Sequence, residues 1–244
     1  MTKIYNSDFF KFQNGGSYNS ANVVVPYILD IIKPKSVIDV GCGIGAWLAV
    51  FKTYGVEYII GLDGEYVDTS LLKIPKENFF PVDLSKKFSL DRKFDLVISL
   101  EVAEHLPEQS AHDFIESITK LSDNIIFSAA IPCQGGTNHV NEKLPSYWAN
   151  VFSDFGYVMY DVFRPQIWNN EDISIEYKQN IFLFSKNKGR NFHQGNCIVD
   201  IVHPDMLRYH LELKKMEIDF IRQGRLGVSD SFKIFLRSLK NKIL

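Results

Sequence analysis

The sequence predicts a doubly wound α/β fold, in which a Rossmann-like, mostly parallel sheet of seven strands carries helices on both faces. Short apolar runs alternate with segments of helical periodicity between residues 36 and 163. A glycine-rich turn, GCGIG, occupies residues 41–45 and follows the first apolar run. Asp39, Asp63 and Asp83 lie at or near the ends of the first three runs. Because parallel strands end at the same edge of a sheet, these features also predict a ligand site at that edge.

The composition indicates one globular domain with appendages. The chain has 244 residues, of which 45% are hydrophobic, and a formal net charge of -2. This near-neutral balance gives no electrostatic argument for nucleic acid as the partner. Cys42, Cys133 and Cys197 are scattered without CxxC spacing, so we expect neither a disulfide framework nor a thiolate zinc site. No signal peptide or transmembrane run is visible, and we expect a soluble, cytoplasmic protein.

The first predicted helix covers residues 19–32. Val24, Ile28 and Ile31 are among the apolar residues that recur there at helical spacing, and Pro34 ends the segment. The Asn-Gly-Gly-Ser sequence of residues 14–17 predicts a turn before this helix. An apolar strand at residues 36–40 then leads through the glycine-rich turn into a helix over residues 46–54.

The remaining elements continue the alternation of strands and helices. Apolar runs predict strands at residues 58–62, 79–82, 94–100, 124–131, 157–163 and 180–185. Helical spacing predicts helices at residues 109–121 and 146–155. The loop between the last two strands has no clear helical pattern, which favours an antiparallel addition at the edge of the sheet.

The chain changes character after residue 186. Residues 187–196 are polar and predict a linker, and residues 204–222 predict a helix. Residues 231–244 predict a short amphipathic helix with four basic and no acidic residues. We therefore divide the chain into a domain of residues 1–186 and a helical C-terminal extension of residues 187–244. The basic helix either packs on the domain or on the mate of a homodimer, or makes peripheral contact with an anionic membrane.

The glycine-rich turn is the most informative segment of the sequence. Glycines let the backbone approach a ligand closely, and the following helix N-terminus offers free N–H groups. A dinucleotide site would instead show GxGxxG, so the GxGxG spacing disfavours a pyrophosphate and an NAD-linked enzyme. A tight turn with a purely structural role is the alternative. An acidic residue that ends the second strand, Asp63, is placed to hold a ribose diol, and Asp83 is placed to meet an adenine edge.

Three segments resemble the nucleotide-binding signatures of class I S-adenosylmethionine-dependent methyltransferases: SVIDVGCGIGAWLAVF, GLDGEYVD and FDLVISLEVAEHL. Residues 20–185 further resemble a bacterial subgroup commonly found beside glycosyltransferases and other surface-glycan enzymes. SLEVAEHLP, FSAAIPCQGGTNHVNEKLPSYWANVF and EYKQNIFLF carry this narrower likeness. The tail from Asn187 onward has no counterpart, so nothing is carried over to it.

The resemblance implies that S-adenosylmethionine is the cofactor and S-adenosylhomocysteine the product. The turn would pack against the methionine part, supported by Asp39. Asp63 and Gly64 would hold the ribose, and Asp83 and Leu84 would meet the adenine. The other residues implied to bind the cofactor belong to the turn and to the end of the fourth strand: Gly41, Cys42, Gly43, Gly45, Leu100, Glu101 and Val102.

Methyl transfer to a hydroxyl requires orientation and removal of a proton. His105 and His139 follow the fourth and fifth strands, on the predicted functional edge. We predict that His139 is the general base and that His105, with Glu104, has an orienting role.

A metal-assisted alternative arises from the same residues. Glu101, Glu104 and His105 share one face of a turn, and with His139 they offer carboxylates and imidazoles to a divalent metal. A family of RNA 3′-terminal 2′-O-methyltransferases resembles this arrangement. Because E-x-x-E-H is common among relatives, this string is not diagnostic, and a divalent metal is not the favoured interpretation.

The acceptor pocket is predicted in the loops after the fifth and sixth strands. Polar and aromatic side chains of the kind found there suit a sugar. The candidate acceptor-binding residues are Gln134, Asn138, Arg164, Trp168, Tyr177 and Asn180.

The sequence therefore predicts an O-methyltransferase that acts on a hydroxyl of a sugar or nucleotide-activated sugar in capsule or surface polysaccharide biosynthesis. A small-molecule or glycan-precursor acceptor is expected rather than nucleic acid. Three alternatives stay open: a metal-assisted RNA 2′-O-methyltransferase, an N-methyltransferase of a small molecule, and a cofactor-binding regulator without turnover.

Overall fold

The computed structural model of the chain describes residues 7–186, 199–223, 225 and 227. The chain divides into two compact units, Met1–His203 and Pro204–Leu244. The first unit contains the sheet and the candidate site.

A seven-stranded sheet with the order β3-β2-β1-β4-β5-β7-β6 forms the centre of the first unit. Strands β1 to β5 pair in parallel, and β7 is antiparallel to both of its neighbours. This topology confirms the predicted fold class and the antiparallel addition. The strands are β1 (Ser36–Val40), β2 (Tyr58–Asp63), β3 (Phe79–Pro81), β4 (Leu96–Leu100), β5 (Asn124–Ser128), β6 (Val158–Tyr160) and β7 (Phe182–Ser185).

Helices cover both faces of this sheet. Those of the first unit are α1 (Ser7–Ile32), α2 (Ala46–Thr53), α3 (Ala111–Thr119), α4 (Pro145–Ser153), α5 (Arg164–Ile167) and α6 (Ile175–Asn180). Short 3-10 turns occur at Thr69–Leu71, Lys76–Asn78, Ala103–His105 and Glu108–Ser110.

The core consists of two apolar clusters, one on each face of the sheet. Val37 and Ile59 face the cluster that includes α1 and α2, whereas Ile38 and Ile60 face the cluster that includes α3 and α4. Successive strand residues point to opposite faces, so a strand buried on both faces is apolar throughout. This explains the continuous apolar runs from which the strands were predicted.

The first helix begins earlier than predicted. Residues 14–17 are helical within α1, so the predicted turn there is wrong. A side chain at Gly16 would place its Cβ 2.6 Å from Oγ of Ser174, and Ser20 donates to the Gly16 carbonyl at 2.7 Å. A larger residue at position 16 would collide with Ser174. Glycine is therefore favoured here by a tertiary contact, which the local sequence does not reveal.

The connection between β6 and β7 also differs from the prediction. It contains α5 and α6, where no helix was expected, and β7 begins at Phe182 rather than at residue 180. Pro165 lies in the first turn of α5, a position where its missing N–H costs nothing. Each of these helices is too short for its apolar periodicity to be recognised.

Residues 199–203 are hydrogen-bonded to the rest of the first unit. The side-chain amide of Gln179 donates to the Ile201 carbonyl at 2.7 Å and accepts from the His203 backbone N–H at 2.6 Å. The predicted division of the chain at residue 186 stays a prediction.

The second unit contains α7 (Pro204–Arg222), as predicted. The predicted linker at residues 187–196 and the predicted basic helix at residues 231–244 lie outside the described residues. Among the helices that are described, none has both the length and the apolar character needed to cross a bilayer.

Candidate active site

A cavity of about 570 Å³ opens at the carboxyl ends of the parallel strands. It lies where the strand order reverses between β1 and β4, the usual position of ligands in open α/β sheets. Every predicted cofactor-binding residue except Gly45 lines this cavity: Asp39, Gly41, Cys42, Gly43, Asp63, Gly64, Asp83, Leu84, Leu100, Glu101 and Val102. Gly45 packs instead against Ile74.

The glycine-rich turn forms the floor of the cavity between β1 and α2. Gly41 has a φ of 89°, and a Cβ at this position would lie 2.2 Å from Cγ2 of Val102. Gly43 has a φ of 53°, a left-handed conformation that other residues adopt rarely. The backbone N–H of Gly41 donates to the Leu62 carbonyl at 2.7 Å, which fixes the turn against β2. The turn therefore needs glycine both for its conformation and for close packing.

Asp63 connects this turn to the end of β2. Its Oδ2 accepts from the Gly43 backbone N–H at 2.7 Å. Its Oδ1 accepts from the Gly64 backbone N–H at 2.6 Å and from the Tyr66 hydroxyl at 2.5 Å. Burial raises the pKa of Asp63, and the hydrogen bonds from Tyr66, Gly43 and Gly64 oppose that rise. The carboxylate therefore stabilises the loop as well as facing the cavity.

Carboxylates are the main charged groups in the lining of the cavity. Among the residues that the structure describes, no Lys or Arg lines it. Burial, together with the neighbouring Asp63, raises the pKa of Asp39 well above its ordinary value. Such a site favours a cationic ligand and disfavours a phosphate. Its carboxylates are Asp39, Asp63, Glu65, Asp83 and Glu101.

Asp83 and Glu65 are the exposed members of this set. Hydrogen bonds from Lys86 and Ser85 lower the pKa of Asp83 to about 2. The Lys86 ammonium lies 2.8 Å from its Oδ2, although Lys86 itself does not line the cavity. Asp83 is therefore ionised at any physiological pH and lies at the end of the cavity opposite β4.

Glu101 follows β4 in a left-handed conformation, with a φ of 56°. Its carboxylate accepts from the side-chain amides of Gln134, at 2.9 Å, and Asn180, at 3.1 Å. Burial raises the pKa of Glu101, and the hydrogen bond from Asn180 opposes this. A non-glycine residue in this conformation costs about 1–3 kcal/mol, and such strain occurs most often at functional sites. Gln134 and Asn180, which were predicted to bind the acceptor, thus hydrogen-bond to Glu101, which was predicted to bind the cofactor.

The two predicted catalytic histidines are in contact. The rings of His105 and His139 meet edge to face with centroids 4.8 Å apart. His105 lines the cavity, whereas His139 lies behind it with its Nδ1 3.0 Å from Oε1 of Glu142. Burial, and secondarily His139, lowers the pKa of His105 to about 4. His105 is therefore neutral at pH 7.

The loop that carries His139 is held by Glu142. Its two oxygens accept from the backbone N–H groups of Cys133, at 2.8 Å, and Gly135, at 2.7 Å. A Cβ at Gly136 would lie 2.3 Å from Nε2 of His139, so the loop backbone packs directly on the imidazole. These contacts fix the position of His139 relative to His105.

Glu104 completes the group of predicted catalytic residues. It is fully buried, and its candidate ligand oxygen lies within 4.8 Å of ring nitrogens of His105 and His139. No hydrogen bond of normal geometry from the described residues reaches either of its carboxylate oxygens. Burial, followed by the neighbouring Glu101, raises the pKa of Glu104 well above its ordinary value. These three residues have the types and the proximity needed to hold a metal ion.

The remaining predicted acceptor residues lie in different places. Tyr177 lines the cavity, and its hydroxyl is 3.0 Å from Oγ of Ser17. Asn138 is exposed on the loop before His139. Trp168 packs its ring on His203 with centroids 4.3 Å apart, outside the cavity lining.

Arg164 is buried and hydrogen-bonded to protein groups. Its Nε and Nη2 donate to Oδ2 of Asp161 at 3.0 and 2.6 Å, and its Nη1 donates to the carbonyls of Gln179 and Val199. Arg164 does not line the cavity. Its predicted role in acceptor binding stays a prediction, for which the structure supplies no contact.

Several residues that line the cavity had not been predicted as site residues, among them Ser17, Trp47 and Tyr66. Ser17 comes from α1, in the segment expected to be a turn. Trp47 lies in the first turn of α2, and its Nε1 is 3.4 Å from the Tyr177 hydroxyl. Tyr66 follows Asp63 by three residues, within the GLDGEYVD segment, so that segment contained the signal for it.

Comparisons with known proteins agree with this geometry. The sequence profile of a family described as "Methyltransferase domain" matches residues 21–159, more than half of the chain. A comparison with curated proteins finds no match.

Solved methyltransferases share the fold. The S-adenosylmethionine-bound amino pentose methyltransferase CalS10 of Micromonospora echinaspora is 14% identical, with a TM-score of 0.57 over 75% of this chain and 98% of that one. Magnesium protoporphyrin IX methyltransferase of Synechocystis PCC 6803, solved with S-adenosylhomocysteine, is 18% identical, with a TM-score of 0.52 over 75% and 89%. A provisionally named O-methyltransferase of Nostoc punctiforme PCC 73102 is 14% identical, with a TM-score of 0.55 over 73% of this chain and 59% of that one.

Proposed function

The chain belongs to the methyltransferase domain family, and from this membership we propose that it transfers the methyl group of S-adenosylmethionine to a hydroxyl oxygen of a sugar or nucleotide-activated sugar. Membership accounts for the reaction class and for S-adenosylmethionine as donor. The acceptor, and a role in capsule or surface polysaccharide biosynthesis, are the parts that go beyond the family.

The charge of the cavity is the observation that carries the choice of donor. S-adenosylmethionine has a cationic sulfonium and an ammonium group, and it has no phosphate. A cavity with five carboxylates and, within the described residues, no Lys or Arg in its lining suits that ligand. A dinucleotide would bring a pyrophosphate into the same negative field.

The residues around the cavity suggest an orientation for the cofactor. The methionine part would lie on the turn at Gly41 and Gly43, where the N-terminus of α2 opens into the cavity. The ribose would lie at Asp63, and the adenine between Asp83 and Leu84. The sulfonium would then lie near the end of β4, on the same side as His105.

Methyl transfer at this position is an in-line displacement. The acceptor oxygen forms a bond to the methyl carbon as the carbon–sulfur bond breaks, and the bonding pair stays on sulfur to give neutral S-adenosylhomocysteine. The hydroxyl proton leaves to the histidine pair, with His139 as the predicted base. The Glu142 carboxylate lies 3.0 Å from Nδ1 of His139 and fixes the orientation of the imidazole ring. His105 lines the cavity and contacts the ring of His139, and we assign it the role of orienting that ring.

A sugar acceptor is supported by the polar groups on this side of the cavity. The amides of Gln134 and Asn180 lie next to the cavity and donate to Glu101, which lines it. Tyr177 also lines the cavity, with its hydroxyl 3.0 Å from Oγ of Ser17. Amides and hydroxyls are the groups that bind sugar hydroxyls, and aromatic faces stack on sugar C–H groups. The amino pentose methyltransferase among the structural neighbours gives one example of this fold acting on a sugar.

Calorimetric titration of the full chain with S-adenosylmethionine and S-adenosylhomocysteine tests the donor, with NADH as the negative control. Turnover is then measured with nucleotide-activated sugars, free glycan precursors, a small amine and an oligoribonucleotide as acceptors. We expect both sulfur nucleosides to bind, NADH not to bind, and methylated sugar to accumulate. Methylation of the amine or the oligoribonucleotide in place of the sugars would overturn the proposed acceptor.

The role of His139 is tested by His139→Ala. We expect turnover to fall by roughly 100-fold or more, while affinity for S-adenosylhomocysteine stays within about twofold of wild type. Substantial turnover by this variant would exclude His139 as the base.

A further inference from the structure

A carboxylate lines the acceptor side of the cavity, the end whose wall includes Glu101, His105 and Tyr177. It belongs to Glu101, the first residue after β4, whose φ of 56° is a left-handed conformation. A residue other than glycine keeps such a conformation only where the surrounding structure fixes it. The contacts of Glu101 thus hold its carboxylate against the preference of its own backbone.

Neutral side chains make these contacts. The amide of Gln134 donates to Oε2 of Glu101 at 2.9 Å, and the amide of Asn180 donates to Oε1 at 3.1 Å. The Asn180 amide also donates to Oε1 of Gln134 at 2.9 Å, so the two amides fix each other. Burial raises the pKa of Glu101, the hydrogen bond from Asn180 opposes that rise, and the charge of the nearby Glu176 adds to it. The amides therefore orient the carboxylate without neutralising its charge, and a cation bound there would stabilise it.

Two aromatic rings line the same cavity. Tyr177 lies one turn before Asn180 on α6, and its ring meets that of Trp47 edge to face with centroids 5.1 Å apart. The Tyr177 hydroxyl is held by Oγ of Ser17 at 3.0 Å. Aromatic faces attract cations, and they do so most strongly where water is excluded. A carboxylate and aromatic rings in one cavity suit a ligand that carries a positive charge on a ring-shaped body.

We propose that the acceptor is an amino sugar and that Glu101 binds its ammonium group. This inference rests on the proposed function and narrows the acceptor to one class of sugar. An ammonium group donates charge-assisted hydrogen bonds to a carboxylate, and these are roughly twice as strong as hydrogen bonds between neutral groups. A sugar without the amine would satisfy the oxygens of Glu101 but would leave its charge uncompensated. Glu101 is then a specificity-determining residue.

The ion pair also selects oxygen as the atom that is methylated. An amine held as ammonium has no lone pair with which to attack the methyl group. A hydroxyl on a neighbouring carbon of the sugar keeps its lone pairs and forms the bond to the methyl carbon as the carbon–sulfur bond breaks. Its proton leaves to His139, as in the proposed function, and the ammonium group keeps its protons throughout. Glu101 takes no proton in the reaction.

The first test needs no variant. The full chain, saturated with S-adenosylhomocysteine, is titrated with glucosamine, galactosamine and mannosamine, and with the N-acetylated form and the parent hexose of each. We expect at least one amino sugar to bind more tightly than both of its uncharged counterparts, by roughly tenfold or more. Equal or tighter binding of the uncharged sugars, or no binding of any amino sugar, would overturn the inference.

Glu101→Gln assigns the preference to this residue. The substitution keeps the size of the side chain and removes its charge. We expect affinity for the amino sugar to fall by roughly tenfold or more, while affinity for its N-acetylated form stays within about twofold. Glu171→Gln is the matched control, because Glu171 is exposed in the connection between α5 and α6 and does not line the cavity.

Binding of the donor separates this role from a contact with the sulfonium. If Glu101→Gln weakens S-adenosylmethionine but not S-adenosylhomocysteine, and leaves the preference for the amino sugar intact, Glu101 serves the sulfonium and the inference fails. Retained affinity for S-adenosylhomocysteine also shows that the variant is folded.

The proposed function and this inference fail in different ways. If S-adenosylhomocysteine binds and an uncharged sugar is methylated in preference to the amino sugars, only the inference fails. If an amino sugar binds through Glu101 but no O-methylated product is detected by mass spectrometry and NMR, the proposed function fails.

Discussion

The hydroxyl of Tyr66 donates to Oδ1 of Asp63 across 2.5 Å, on the carboxylate that also accepts from the backbone of Gly43 and Gly64. The ring of Tyr66 lies against Gly64, where a Cβ would be 2.2 Å from its Cε1. Asp63 is the residue assigned to the ribose. A ribose hydroxyl must therefore share this carboxylate with Tyr66 or displace it.

Tyr66→Phe removes this competition. We expect affinity for S-adenosylhomocysteine to rise by about threefold to tenfold, which corresponds to one hydrogen bond of about 1 kcal/mol. Calorimetry measures the effect. Tyr54→Phe is the control, because Tyr54 is as exposed as Tyr66 (49%) and does not line the cavity. A tenfold loss of affinity would show instead that the Tyr66 hydroxyl orients Asp63 for the ribose.

Asp63→Ala is expected to weaken cofactor binding more than it slows methyl transfer. The substitution removes the ribose acceptor and releases the backbone N–H groups of Gly43 and Gly64. We expect affinity for S-adenosylhomocysteine to fall by at least tenfold, with kcat at saturating donor reduced much less. A fall in kcat at unchanged affinity would place the function of Asp63 in the chemical step.

Asp39→Asn tests how a buried carboxylate at the cavity affects protein stability. Burial and the nearby Asp63 raise the pKa of Asp39 well above its unfolded value of 3.8. The folded state thus binds the proton more tightly, so this group contributes stability below pH 3.8 and loses it as pH rises through the folded-state pKa. At pH 7 the raised pKa of Asp39 costs stability, because the unfolded state gives up this proton more readily than the folded state does. We therefore expect Asp39→Asn to raise Tm at pH 7 by roughly 2–4 °C, for about 1 kcal/mol.

Asp39→Asn should also bind S-adenosylmethionine less tightly than the wild-type protein does. S-adenosylmethionine carries one more positive charge than S-adenosylhomocysteine, so removal of a carboxylate is expected to weaken the donor more than the product. Thermal unfolding as a function of pH and paired titrations measure these effects, with the exposed Asp91→Asn as control. The Tm difference should shrink as pH falls toward 3.8, because wild-type Asp39 is then protonated. A constant difference at all pH values would contradict this explanation.

Elements with a local signal were predicted well. The strand at residues 36–40 has the bounds of β1, and the glycine-rich turn and Asp63 lie at the cavity as predicted. In these cases the residue type follows from its own backbone: a left-handed φ favours glycine, and a buried parallel strand favours apolar residues.

Features that depend on distant parts of the chain were missed. Ser17 reaches the cavity through its contact with Tyr177, which is 160 residues away in the sequence. Gly16 lies within α1 and packs on Ser174, which is distant in the sequence. The contact of Gln134 and Asn180 with Glu101 likewise joins two separate loops and the end of α6. Such contacts are set by tertiary packing, which no local pattern encodes.

The environment of Arg164 also depends on distant parts of the chain. An arginine in a polar loop near the sheet edge predicts recognition of an acceptor, but here the side chain is 1% exposed and lies 4.1 Å from the centre of the Phe182 ring. Its hydrogen bonds join Asp161, the Gln179 carbonyl and the Val199 carbonyl. These contacts connect α5, α6 and the segment at residues 199–203.

Arg164→Ala is therefore expected to act on stability. The substitution leaves the buried Asp161 carboxylate without its cation, and breaking a buried pair in this way costs about 3–5 kcal/mol. For a chain of this size that corresponds to a loss of roughly 10 °C in Tm. Arg164→Lys keeps the charge but loses the planar, two-nitrogen contact with Asp161, so it should recover only part of the loss. Urea unfolding measures both variants, with the exposed Arg92→Ala as control. If Arg164 binds the acceptor instead, Arg164→Lys will unfold like wild type and show a raised KM for the sugar.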